Sequence, residues 1–164
     1  MIADHAAVPR WGVEPPDVDV SGRTFGVVGG DCSVTRRWAR QIARLGRPCW
    51  QVDAAGDAGA LDAALRDATV GLRVLIAGPE ADVLAAAARC RAAGLADAEL
   101  TLFATSARER RIYCAHCATT SIVDAQVEDV APCGGCGRCL LVFAHLSARS
   151  GSYLAFQADA EDVG

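Results

Sequence analysis

From Thr24 onward, short apolar runs alternate with stretches in which apolar residues recur every three or four positions. The run "TFGVVGG" ends in a Gly-Gly turn, and "SVTRRWARQIARL" then sets Val34, Trp38, Ile42 and Leu45 along one helical face. Asp31, Ser33 or Thr35 is placed to cap that helix, and Gly46 followed by Pro48 stops it. "PCWQVD" reads as a second strand, and a short helix carrying Leu61 and Leu65 follows Asp57. "LRVLIAG" reads as a third, buried strand. Pro79 suits the first turn of a helix reaching Gly94, with Val83, Leu84, Ala87 and Ala88 facing inward. "AELTLFAT" supplies a fourth strand. Strand and helix in strict alternation predict an α/β fold, a parallel sheet with helices on its faces.

The pattern changes at "SARERR", residues 106 to 111, which reads as a polar, exposed join. Beyond it, "RIYC", "SIVDAQVEDV", "CLLVF" and "SYLAFQ" are short and strand-like, separated by cysteine, glycine and serine turns. Before Thr24, Pro9, Pro15 and Pro16 interrupt any period, which predicts an extended arm. The organisation expected is therefore an arm at 1–22, a small parallel-sheet Rossmann-like domain at 23–110, and a small β-rich, zinc-ribbon-like domain at 111–164 ending in a strand and tail.

Composition narrows the function classes. A chain of 164 residues, 52% hydrophobic, can bury a core and is not a disordered segment. Every basic side chain is arginine, and the net charge is −4, the reverse of what a phosphate-binding face favours, so no nucleic-acid partner is expected. No apolar run approaches the roughly 20 residues that cross a bilayer, so no membrane association is expected. "MIADHAAVPRWGVEPPDVDV" lacks the basic start and apolar centre of a secretion signal, which makes the cytoplasm the expected location. There, eight cysteines read as metal ligands and buried thiols rather than disulfides.

"YCAHC" supplies Cys114 and Cys117, and "PCGGCG" supplies Cys133 and Cys136, with fifteen residues between the pairs. Two C-x2-C knuckles at that spacing hold one metal ion in four thiolates, a set suited to zinc or to a single iron. Gly134, Gly135 and Gly137 are expected to supply positive φ angles in the second knuckle. Zinc is preferred: rubredoxin-type iron sites carry glycine after both pairs, and here Ala118 follows the first. Four thiolates leave no coordination position open, so the expected role is structural, supplying stability that a small domain lacks. His116 reads as a solvent-facing turn residue, and Cys139 as a buried small hydrophobe at the start of a strand. Cys32, Cys49 and Cys90 read as packing residues.

The turn "GVVGGDCS" sits between strand and helix, where phosphate can bind, and Asp53 ends the second strand, where a ribose-binding acid can sit. Gly26, Gly29 and Gly30 do not fit G-x-G-x-x-G, which favours a plain tight turn and a surface aspartate.

Two resemblances extend this reading. "VVGGDCSVTRRWARQIARLGRPCWQV" and "VLIAGPEADVLAAAARCRAAGL" resemble the nicotinamide-binding half of ferredoxin-reductase-type flavoproteins, with Ala77 where that family has cysteine. That implies kinship of fold with activity lost. "YCAHCATT" and "APCGGCGRCLLVFAHLSARSGSYLAFQADAE" are similar to the small subunit of dimethylamine monooxygenase, the DmmA-like family, whose pattern His145, Ser147, Arg149, Tyr153, Asp159 and Glu161 match. Cys139 departs from that pattern. The resemblance implies a non-catalytic accessory subunit that assembles or orients a haem-bearing monooxygenase subunit and a flavin and iron–sulfur reductase subunit. Haem, FMN and iron–sulfur are then expected only on those partners, with zinc as this chain's own ion. His145 is expected to fix a loop or contact a partner rather than catalyse. An electron carrier with a rubredoxin-like iron centre, or an NAD(P)H-binding component, are the alternatives.

Overall fold

A computed structural model describes residues 8–53 and 58–158. The start of the arm, Asp57, and Asp159 and Glu161 of the acidic tail lie outside the described residues. The first part runs β1 (Thr24–Val28), α1 (Ser33–Leu45), β2 (Cys49–Val52), α2 (Ala58–Arg66), β3 (Leu72–Pro79), α3 (Glu80–Ala92), a 3-10 turn (Asp97–Glu99) and β4 (Leu100–Ser106). Its strands form a parallel sheet in the order β2-β1-β3-β4. Successive residues of β3 serve opposite faces, as the pleat requires. Val74 and Ile76 pack with Leu61, Val83 and Ala87 from α2 and α3, whereas Leu75 and Ala77 pack with Val34, Trp38 and Ile42 from α1. The first half is thus an α/β unit covered on both faces.

The ends of the helices differ from expectation in detail. Cys32 is the N-cap of α1, and the Thr35 hydroxyl accepts its amide at 3.1 Å and lies 2.9 Å from the Gly30 carbonyl. Asp31 instead meets Arg36 at 3.3 Å, and Ser33 is the first helical residue. Leu45, expected to face inward, is exposed, because α1 ends there and Gly46 (φ 63°) turns the chain away. Pro79 precedes α3 as its N-cap rather than lying in its first turn.

The second part contains β5 (Arg110–Cys114), β6 (Thr120–Val123), β7 (Val130–Pro132), β8 (Cys139–Ser147) and β9 (Ser152–Gln157), in the order β6-β5-β9-β8-β7. Only β5 and β9 pair in parallel. "SIVDAQVEDV" is two strands, broken by a loop in which Glu128 adopts φ 75°. "CLLVF" continues through "AHLS" as one long strand with a register shift between Val142 and Leu146.

The two sheets share α3. Leu84 belongs to the second sheet's core, beside Ile112, Leu140 and Tyr153, while Val83 faces the first. Gly151 (φ 61°) lies so close to α3 that a Cβ there would stand 2.2 Å from the Leu84 carbonyl oxygen. Arg110, read from sequence as part of an exposed join, is buried as the first residue of β5. Its burial is made possible by Glu80, itself only 1% exposed. A carboxylate out of water needs partners. Arg110 lies 3.0 Å from Glu80 Oε2, the Tyr153 hydroxyl donates to Oε1 at 2.8 Å, and the Trp11 indole donates to Oε2 at 2.6 Å. The arm is accordingly strapped down: Val18 is buried, and the Trp38 indole donates to the Pro16 carbonyl at 2.7 Å. Among the described residues no helix is long and apolar enough to cross a membrane.

Candidate metal centre

Each C-x2-C pair lies at a hairpin turn. Cys114 ends β5 and Cys117 lies in the turn to β6; Cys133 follows β7 and Cys136 lies in the turn to β8. The hairpins occupy the two edges of the second sheet, and their turns converge. The sulfurs of Cys114, Cys117, Cys133 and Cys136 all fall within 4.8 Å of one another. Cys114 and Cys136 stand 3.9 Å apart, Cys117 and Cys133 3.5 Å. With zinc–sulfur bonds of about 2.3 Å, a tetrahedron has edges of about 3.8 Å. A disulfide needs about 2.05 Å. The spacing and the soft donor set therefore fit a single bound metal ion.

The two turns share one backbone plan. Ala118 donates to the Cys114 carbonyl at 2.9 Å, and Gly137 donates to the Cys133 carbonyl at 2.9 Å. Both of these residues take positive φ, 58° and 72°. Gly134 and Gly135 were expected to share that conformation, but they do not. They serve approach instead: a Cβ on Gly135 would lie 2.5 Å from Thr119 Oγ1, and one on Gly134 2.9 Å from Ser121 Oγ. The Gly134 amide donates to Ser121 Oγ at 3.1 Å, binding one knuckle to the other. Sequence reasoning passed over Thr119 and Ser121, whose only signal was small hydroxyl residues just after the first pair.

Without a metal, three of these thiols, Cys117, Cys133 and Cys136, depart from ordinary cysteine behaviour in different directions. The Thr119 hydroxyl and amide hold Cys117 down to about 6. The amides of Cys136 and Gly135 lower Cys133, with Gly135 3.3 Å from its sulfur. Cys136 is pulled down by the Arg138 amide, yet desolvation and the neighbouring thiols outweigh that and raise it to about 11. A divalent cation relieves this repulsion and favours four thiolates together.

His116 is exposed and lies outside the sulfur cluster, as expected of a turn residue. Cys139 also lies outside the cluster, but it is exposed rather than buried, because β8 turns it away from the core that Leu140 enters. Cys49, read as a packing residue, is exposed on edge strand β2; Cys90 is buried, and Cys32 half-buried. His145 is exposed on β8. The loop after it is held by Ser147, whose hydroxyl accepts from Ser150 at 3.3 Å and whose carbonyl accepts from Gly151 at 2.8 Å. Ser147 thus fixes this loop.

At the carboxyl ends of the first sheet, a crevice of about 190 Å³ is lined by Val28, Gly29, Gly30, Asp53, Asp82 and Ala86, among others. Asp82 has its carboxyl raised by burial and by the charges of Asp53 and Glu109. A Cβ on Gly30 would stand only 3.7 Å from Asp53 Oδ2, so a carboxylate flanks the glycine turn.

Residues 111–156 match the family described as dimethylamine monooxygenase subunit DmmA-like, C-terminal domain. The chain is also 40% identical over 101 residues to the heme-dependent oxidative N-demethylase delta subunit of Ectopseudomonas mendocina (strain ymp), a match covering 62% of this chain and 57% of that relative. The match thus spans a little over half of the relative's length. No solved structure matches significantly.

Proposed function

We propose that the chain is a non-catalytic accessory subunit of a haem-dependent, N-demethylating amine monooxygenase, acting on dimethylamine or a similar secondary amine. In this reading Cys114, Cys117, Cys133 and Cys136 hold one zinc ion that fixes the two hairpins of the second sheet. The fixed sheet assembles or orients a haem-bearing subunit and a flavin and iron–sulfur reductase subunit. The similarity to a delta subunit of a heme-dependent oxidative N-demethylase carries the proposal. The sulfur cluster supports the scaffold role, since four thiolates around one ion leave no position for substrate. Metal analysis and an absorption spectrum of the freshly purified chain test it. One zinc per chain, no visible absorbance and co-purification with the haem-bearing subunit are expected.

A rubredoxin-like iron centre is the second reading, favoured by one observation: Ala118 adopts the same backbone conformation as Gly137, so both turns have the shape glycine gives. A red chain that bleaches on reduction would establish it. The NAD(P)H reading is opposed by charge. A pyrophosphate at the glycine turn would meet Asp53, with Asp31 in the loop beside it and Asp82 across the crevice. No change in melting with NADH or NADPH is expected.

A further inference from the structure

As far as the backbone goes, the two knuckles are built alike. In each, the residue two places after the second cysteine turns its amide toward that cysteine's sulfur: Thr119 toward Cys117, and Arg138 toward Cys136. Cys133 is served by amides as well, those of Gly135 at 3.3 Å and Cys136 at 3.5 Å. The difference lies in the side chain at the shared position. The Arg138 guanidinium reaches away and donates to Gln157 Oε1. The Thr119 hydroxyl stays at the site and hydrogen-bonds Cys117, a donor that the backbone plan alone does not supply. Cys117 has the greater need of it. Cys114 and Cys133 are buried and held by packing, whereas Cys117 is only half-buried. A metal-bound thiolate has lost its proton and can only accept, so the hydroxyl donates, and the charge makes the bond stronger than a neutral one.

Thr119 also ties the site together. Its carbonyl accepts from the Cys114 amide at 3.0 Å, so this one residue holds both cysteines of the first pair. Its side chain rests on the second knuckle. A Cβ on Gly135 would fall 2.5 Å from Thr119 Oγ1, 2.8 Å from Thr119 Cβ and 3.1 Å from Cys117 Sγ. Gly135 does not take positive φ, so the room needed by the Thr119 side chain and the Cys117 sulfur, not the backbone, calls for glycine there.

We infer that Thr119 is the positioning residue of the metal centre: its hydroxyl aims Cys117 Sγ at the ion and sets that sulfur's donor strength, and its seat on Gly135 registers the first knuckle against the second. The inference rests on the reading of Cys114, Cys117, Cys133 and Cys136 as ligands of one ion, whichever metal that is, and not on the accessory role. A hydrogen bond draws electron density from a thiolate. Removing it makes the sulfur a better donor and lowers the energy of its charge transfer to the metal. Removing it also frees the ligand to turn, and partners of this kind are worth about 10–100-fold in metal affinity.

The test measures zinc(II) binding to the full-length chain by competition with a chromophoric chelator. The same chains are then loaded with cobalt(II), whose thiolate charge-transfer band can be read directly. Thr119→Val keeps the backbone amide and the shape of the side chain but removes the hydroxyl. It should bind zinc about tenfold or more weakly and move the cobalt band to longer wavelength. Thr119→Ser keeps the hydroxyl and should hold both near parental values. Thr120→Val, the same change one position along at the start of β6, should alter neither. The band separates tuning from packing, because a merely structural residue changes how much cobalt is held, not the transition energy of the bound form. If valine disturbs the hairpin, Thr119→Ala gives the same comparison with a smaller side chain. Parental affinity and band in Thr119→Val, or a serine variant that behaves as the valine one does, would overturn the role of Thr119 while leaving the metal centre standing. A parent chain that binds neither zinc nor cobalt would remove the four-cysteine site and this inference with it.

Discussion

Ala118 and Gly137 each follow the second cysteine of a pair and share a left-handed backbone, which glycine adopts freely and alanine does not. Ala118→Gly should therefore stabilise the metal-loaded chain by about 0.5–1 kcal/mol, and Gly137→Ala should destabilise it by a similar amount. Denaturant midpoints check both, and equal midpoints for all three chains would refute the claim that strain sits at Ala118. The alanine looked in the sequence like a departure from the rubredoxin pattern. Its backbone is the same in both turns, so side-chain identity there does not report the metal. Glu80 is the opposite case, invisible in sequence because an acidic residue opening a helix ordinarily serves the helix dipole on the surface. Buried, it holds Arg110, Tyr153 and Trp11 at once. Glu80→Ala leaves the Arg110 cation buried and unpaired, a loss of about 3–5 kcal/mol. Adding Arg110→Met should recover part of that loss in the same unfolding assay; no recovery would mean that the ion pair is not what the carboxylate supplies.

Elements with a clean period were legible: α1 from its Val34, Trp38, Ile42 stripe, and β3 from its continuous apolar run. The arm was not, because its anchors are isolated contacts with no repeat. Asp17 meets Arg37 at 2.6 Å, and Asp19 meets Arg73 at 2.8 Å while accepting from Ser21. The break in "SIVDAQVEDV" was hidden too, since Glu128 gives no sign that its φ will be positive. The Arg73 hydrogen bond, followed by those from Ser21, holds the Asp19 carboxyl down to about 2. A carboxyl lowered by folding contributes stability above its unfolded value, near 4, and loses it as pH falls toward the folded one. The contribution is small, because the pair is substantially exposed. The arm should loosen as pH drops from about 4 to about 2, reported by the fluorescence of Trp11 and Trp38, and Asp19→Asn should flatten that slope. An unchanged slope in the variant would place the titration on another carboxyl.

At the scale of the whole molecule, the cysteine spacing foretold the sulfur cluster and the change of pattern foretold the second sheet, but the sequence suggested two units joined by a polar link. What it could not convey is that one helix serves two cores. The alanines of α3 let it pack closely on both sides, so Val83 and Leu84, adjacent in sequence, enter different clusters. Alanine-rich stretches give a weak hydrophobic stripe, and a helix buried on two faces has little stripe to show. The influence of a metal ion held by the four cysteines should then extend beyond the second sheet. Chelation lets the hairpins at Cys114–Cys117 and Cys133–Cys136 separate, which exposes the second core and strips Leu84 of its cover. Hydrogen exchange on the chelated chain should show β5, β8 and β9 losing protection together with α3. The amides of α1, on the far face of the first sheet, should stay protected. Protection of α3 unchanged after complete metal removal would mean that the helix is held by the first sheet alone, and that the two cores are thermodynamically separate.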